Sequence, residues 1–139
     1  MNRENIMDKK LIFIVDDDPV MRQSLTRYIS QLGYQARPVQ DGFDVLVMLE
    51  YYHPDLIISD IRMPKLDGIT LLQGLRNREQ TRDIPVIFMS GCATDEILGR
   101  AKELGAKFFL FKPFPLSYLG ELIAKILPEQ YLFNFRVSG

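Results

Sequence analysis

Short apolar runs alternate along this chain with stretches in which apolar residues return every three or four positions. The runs are LIFIV at 11–15, LII at 56–58, VIFM at 86–89 and FFLF at 108–111. Unbroken runs of this length suit strands buried on both faces. Between them the period is helical. Met21, Leu25, Tyr28, Ile29 and Leu32 mark a first helix, with Asp18 as N-cap, Pro19 at its first position and Gly33 as its stop. A weak second strand over 34–39 contains Pro38, which suits a sheet edge. Asp41-Gly42 opens a second helix with Phe43, Leu46, Val47 and Leu49 on its apolar stripe. A third strand over 55–60 precedes a helix that starts after Asp67-Gly68 and carries Ile69, Leu71, Leu72 and Leu75. A fourth strand over 85–89 leads to a helix from Thr94 to Gly105, with Ile97, Leu98, Ala101 and Leu104 inward. A fifth strand over 107–111 leads to a helix over 116–127, with Leu119, Leu122, Ile123 and Ile126 inward and Pro128 ending it.

Five successive βα units predict an α/β fold with one parallel sheet and helices on both faces. A single domain over 10–128 accounts for the pattern, with an extension at 1–9 and a tail at 129–139. In the tail, Tyr131, Phe133, Phe135 and Val137 alternate as in a strand. The simpler expectation is a segment folded back on its own domain; the sharper one is a pairing edge for a second copy of the chain.

Composition narrows the classes. With 139 residues the chain is long enough for one well-buried core. A formal net charge of -1 with no basic block argues against a broad nucleic-acid-binding face. The single cysteine, Cys92, excludes an internal disulfide and fits a reducing compartment. No apolar stretch approaches the roughly 20 residues of a membrane span. The expected location is the cytoplasm.

The chemistry lies where the strands end. The first run stops at Asp16-Asp17-Asp18, the third at Asp60, the fourth at Ser90-Gly91 and the fifth at Lys112-Pro113. If these strands are parallel neighbours, carboxylates, a hydroxyl and an ammonium meet at one edge. That is where open α/β sheets place their ligands. An ionised carboxylate at the end of a core strand is costly to desolvate unless something pairs with it.

The segments VDDDP at 15–19, DLIISDIRMPKLDG at 55–68, IPVIFMSG at 84–91 and FLFKPF at 109–114 together resemble the receiver domain of two-component response regulators. The resemblance covers about 10–127 and implies a flavodoxin-like fold with sheet order 2-1-3-4-5 and five helices on both faces. It implies that Asp60 accepts a phosphoryl group. Mg2+ would be held by the side chains of Asp17 and Asp60 and the backbone carbonyl of Arg62, with Asp16 acting through a water. Lys112 would pair with Asp60 at rest and with the phosphoryl group afterwards. The Ser90 hydroxyl would bind a phosphoryl oxygen. Phe109, where tyrosine is common, would change rotamer as Ser90 moves. Arg62 and Cys92 would flank the path of attacking water, and Lys112-Pro113 is a candidate cis peptide. The readout surface would be the fourth helix, fifth strand and fifth helix. The chain would act as a switch that assists its own phosphorylation and dephosphorylation rather than as an enzyme. Its donor would be a sensor histidine kinase or phosphotransfer protein, and its target a separate protein or fused output domain, with no membrane or direct nucleic-acid contact.

Plainer roles compete at several positions. Asp18 reads as an N-cap rather than a third site carboxylate, Asp67 as a turn residue, and His53 as a solvated loop residue. Met48 and Met89 read as core fillers. The aromatic run at 108–111 reads as strand core apart from Phe109. Three other functions share parts of the pattern. A pseudo-receiver would use the fold for binding alone, yet all five site residues are present. A haloacid-dehalogenase-type phosphatase would take its nucleophile from the D-x-D of Asp16 and Asp18, but Pro19-Val20-Met21 replaces the small residues and threonine that should follow. A flavodoxin must cradle a phosphate in its first loop, where three aspartates would repel it.

Overall fold

The computed structural model describes residues 9–128. Residues 1–8 of the N-terminal extension and the whole 129–139 tail, with its alternating aromatics, lie outside the described residues. The elements are β1 (Leu11–Val15), α1 (Pro19–Gln31), β2 (Gln35–Val39), α2 (Gly42–Met48), β3 (Leu56–Asp60), α3 (Gly68–Arg76), β4 (Val86–Ser90), α4 (Asp95–Glu103), β5 (Phe108–Phe111) and α5 (Leu116–Ile126). All strand pairs are parallel, in the order β2-β1-β3-β4-β5. This is the flavodoxin-like order. Pro38 lies in β2, an edge strand, where its missing N–H disrupts no central ladder.

Strand residues alternate between two cores. Phe13, Val15, Ile57, Val86 and Phe88 point to one face and pack with α2, α3 and α4. Ile12, Ile14, Leu56, Ile58, Ile87 and Met89 point to the other and pack with Leu25 and Ile29 of α1 and Leu119 and Ile123 of α5. Because both faces are covered, the central strands are apolar throughout.

Two expectations about packing need correction. Phe43 and Val47 do not form the inward stripe of α2: they are 60% and 50% exposed, and Val45 is the buried residue. The helix has only seven residues, so its narrow inward face centres on Val45, with Leu46 and Leu49 at its margins. The aromatic run of β5 is not full core either. Phe108, Phe109 and Leu110 are half-buried and Phe111 is exposed, because β5 has a neighbour on one side only. Met48 and Met89 do pack in the core, Met89 fully buried.

The turns at the carboxyl ends of the strands are held by side-chain caps. Asp18, Asp41, Asp67 and Thr94 each accept a hydrogen bond from an amide in the first turn of the following helix. Such caps satisfy amides that a helix leaves unpaired. Asp18 and Asp67 are therefore capping residues. α5 opens at Pro115 without a side-chain cap.

The start of α3 is pressed against the end of β3. A Cβ on Gly68 would lie 2.7 Å from Phe88 Cε1 and 3.0 Å from the Ile61 Cα. Backbone cannot yield as a side-chain tip can. Gly68→Ala should therefore lower stability by about 1–3 kcal/mol in urea denaturation. Gly99, inside α4, would meet nothing within 4 Å. Gly99→Ala should raise stability by up to about 1 kcal/mol in the same measurement.

Candidate functional site

β1 and β3 are adjacent, and the loop after β1 carries Asp16 and Asp17 to the end of β3, where Asp60 is its last residue. One carboxylate oxygen from each of Asp16, Asp17 and Asp60 joins a group whose members all lie within 4.8 Å of one another. β5 ends one residue before Lys112, whose Nζ lies 3.0 Å from Asp60 Oδ2 and 3.4 Å from Asp16 Oδ2. The Lys112 amide donates to the Ser90 carbonyl at 2.7 Å, which ties this loop to the end of β4. The Lys112-Pro113 peptide is cis.

Asp16 is the most enclosed of the three carboxylates; its side chain is 1% exposed, against 14% for Asp60. Burial pushes its pKa above the usual carboxylate value, opposed by the hydrogen bond from the Asp18 amide and by the Lys112 charge. Burial alone would lower the Lys112 pKa. The hydrogen bond to Asp60 and the charges of Asp16 and Asp60 outweigh it, so the net shift is upward and the group stays an ammonium.

The remaining residues surround this cluster. The Arg62 amide donates to Asp60 Oδ1 at 3.2 Å. Its guanidinium reaches Cys92 Sγ at 3.8 Å, so the residues two beyond Asp60 and two beyond Ser90 meet. Ser90 is buried, and its hydroxyl accepts from the Ala93 amide at 2.8 Å. Phe109 packs against Phe88 at 6.2 Å between ring centroids, with the Lys102 ammonium 5.9 Å from its own ring centre. Phe109 thus lies below the cluster, on the α4 side of the sheet. His53 stands at the opposite end of β3, exposed, with its ring 3.1 Å from the Gln80 carbonyl. The sequence reading missed Arg22, whose Nη1 donates to the Asp16 carbonyl at 2.6 Å. The only signal for it was a cation in the first turn of a helix, where a cation is unfavourable.

The donor set fits a small, hard divalent cation. It is all oxygen, it holds three carboxylates against one ammonium, and the mutual repulsion of those carboxylates is what a cation would relieve.

A family model described as the response regulator receiver domain matches residues 12–124. The chain belongs to this family, the receiver domains of two-component signalling, and such domains typically bind Mg2+ at an acidic pocket. A probable transcriptional regulator, ycf27 of Cyanophora paradoxa, is 37% identical over 123 residues, which cover 87% of this chain and 49% of that protein. The sensor histidine kinase RcsC of Escherichia coli K12 is 35% identical over 116 residues, covering 84% of this chain and 12% of the kinase. The chain therefore spans half or less of these relatives. The receiver domain of a signal transduction histidine kinase from Syntrophus aciditrophicus superposes with a TM-score of 0.80 at 32% identity, over 86% of this chain and 91% of that one. No helix among the described residues is long and apolar enough to cross a membrane.

The raised Asp16 pKa fixes a sign. The folded, metal-free protein holds the Asp16 proton more tightly than the unfolded chain, whose value is near 3.8. Asp16 therefore contributes a loss of stability as pH rises from about that value through the raised folded pKa. Asp16→Asn removes the loss and keeps an acceptor for the Asp18 amide. In EDTA at neutral pH the variant should melt above the wild type, and the gap should close as pH falls below 4.

Proposed function

We propose that Asp60 accepts a phosphoryl group and that the state of Asp60 sets the surface formed by α4, β5 and α5. The observation that carries this reading is the Asp60 carboxylate at a rigid strand end, paired at 3.0 Å with Lys112 and grouped with Asp16 and Asp17. Asp60 needs no general base, because it is already ionised as a nucleophile. Its oxygen attacks the phosphorus of a phosphohistidine on a sensor kinase or phosphotransfer protein, and the P–N bond breaks with the imidazole as leaving group. Catalysis is mainly positioning and charge neutralisation in a loose transition state. Lys112 follows the charge from carboxylate to phosphoryl oxygen. Mg2+, held by Asp17, Asp60 and the Arg62 carbonyl with Asp16 acting through water, would neutralise phosphoryl charge when bound. Arg62 and Cys92 border the approach of the water that later hydrolyses the adduct.

Phosphorylation adds about −1.5 to −2 charges and new acceptor oxygens. Ser90 turns its hydroxyl towards them and takes the β4–α4 loop along, and Phe109 moves into the vacated space. Phe109 keeps the bulk of the common tyrosine without its hydroxyl. Exposed Phe111 and Tyr118 lie in β5 and α5, which suits a docking role for this surface. The partner is a separate protein or a fused output domain, and the receiver unit is 10–128.

One experiment tests the acceptor. The protein is treated with Mg2+ and acetyl phosphate, and the adduct is mapped by intact mass and peptide analysis. The expected result is a hydroxylamine-labile adduct on Asp60, absent in Asp60→Asn. An adduct on Asp16 would instead favour the phosphatase chemistry, and no adduct would favour a pseudo-receiver. A second measurement addresses the switch. α4 buries Ala101 alone, whereas α1 buries Leu25 and Ile29. Amide exchange in the unmodified protein should be faster in α4 than in α1. Equal protection would count against α4 as the labile element.

A further inference from the structure

Arg22 lies in the first turn of α1, close behind the paired aspartates. This is the positive end of the helix dipole, where cations are disfavoured, and the acidic group at this end of α1 is the N-cap Asp18, whose carboxylate is taken by the Val20 amide. The side chain folds back across the loop, and Nη1 donates to the Asp16 carbonyl at 2.6 Å in a partly buried position. That carbonyl lies one residue beyond the last register pairs of β1, Val15 with Ser59 and Val15 with Val39.

The three carboxylates are not held alike. Asp16 accepts from the Asp18 amide at 3.0 Å and from Lys112 at 3.4 Å. Asp60 accepts from the Arg62 amide and from Lys112. Among the described residues no hydrogen bond or ion pair restrains the Asp17 carboxylate, which lies in the exposed part of the cluster. Its position is set by backbone alone. The peptide unit is planar, so fixing the Asp16 carbonyl oxygen also fixes the direction of the Asp17 N–H and the place of its Cα.

We propose that Arg22 is a positioning residue for the cation site: by pinning the Asp16 carbonyl it aims the Asp17 carboxylate at the other two. The inference rests on the reading of this cluster as a Mg2+ site. It predicts a sign opposite to simple electrostatics. Arg22 is a positive charge near a cation site, so its removal should tighten Mg2+ binding if charge were its only influence. Positioning predicts weaker binding. Lysine keeps the charge and one donor but loses the planar fork, so it should restore only part of the effect.

The test uses the full chain. Mg2+ alone is titrated calorimetrically into wild type, Arg22→Met and Arg22→Lys, and amide exchange is followed by NMR without metal. The expected result is a dissociation constant raised on the order of tenfold in Arg22→Met, with Arg22→Lys in between. Without metal, the Asp17 and Asp18 amides should exchange faster in Arg22→Met while β3 and β4 keep wild-type protection. Unchanged or tighter Mg2+ binding in Arg22→Met would overturn the role of Arg22 and leave the Mg2+ site standing. Absence of Mg2+ binding in the wild type would overturn both. If Arg22→Met does not fold, Arg22→Lys carries the test: it must bind Mg2+ more weakly than wild type.

Discussion

An imbalance of charge at one edge of the sheet governs the rest of this molecule. Three carboxylates share a volume a few ångströms across, and among the described residues the one side-chain ammonium bonded to any of them is that of Lys112. Burial raises the proton affinity of Asp16, and the charge of Asp60 adds to it. The arrangement is tolerable because the parallel sheet fixes the groups. Asp60 ends β3, the aspartate pair follows β1 beside it, and Lys112 reaches across from β5 over the intervening β4. The sheet is rigid because both of its faces are packed. A folded protein that keeps a local excess of negative charge gives up stability for chemistry, since a cation can then do useful work on binding there.

Legibility in the sequence followed the strength of the local signal. Four apolar runs with polar residues at their carboxyl ends located four of the five strands and the candidate site together, and in the three central ones the reason is that a strand buried on both faces leaves its polar residues to the ends. The N-cap at Asp18 and the edge placement of Pro38 were equally plain, since each rests on the chemistry of one residue. The inward face of α2 was not legible. In a helix of seven residues, Phe43, Val45, Leu46, Val47 and Leu49 allow more than one apolar face, and only the tertiary placement selects Val45. The aromatic run of β5 misled for the opposite reason: its composition is that of a core strand, yet its place at the edge leaves Phe111 exposed.

At the site, the charged residues were legible and their support was not. Asp16, Asp17, Asp60 and Lys112 stand out because charge interrupts apolar runs. Arg22 does not, because an arginine on a helix surface is ordinary. What distinguishes it is a single bond to a backbone carbonyl six residues back, and sequence contains no term for a main-chain acceptor.

The bond between the Ala93 amide and the Ser90 hydroxyl has a mechanical consequence. A hydroxyl has one proton and two lone pairs. The Ala93 N–H occupies a lone pair and leaves the proton free. Ser90 can therefore donate to a new acceptor without letting go of Ala93. On the proposed reading the serine would be a coupling pin rather than a latch: rotation of one side-chain bond would pull the following loop by its own main chain, and Thr94, the cap of α4, is the next residue on the line.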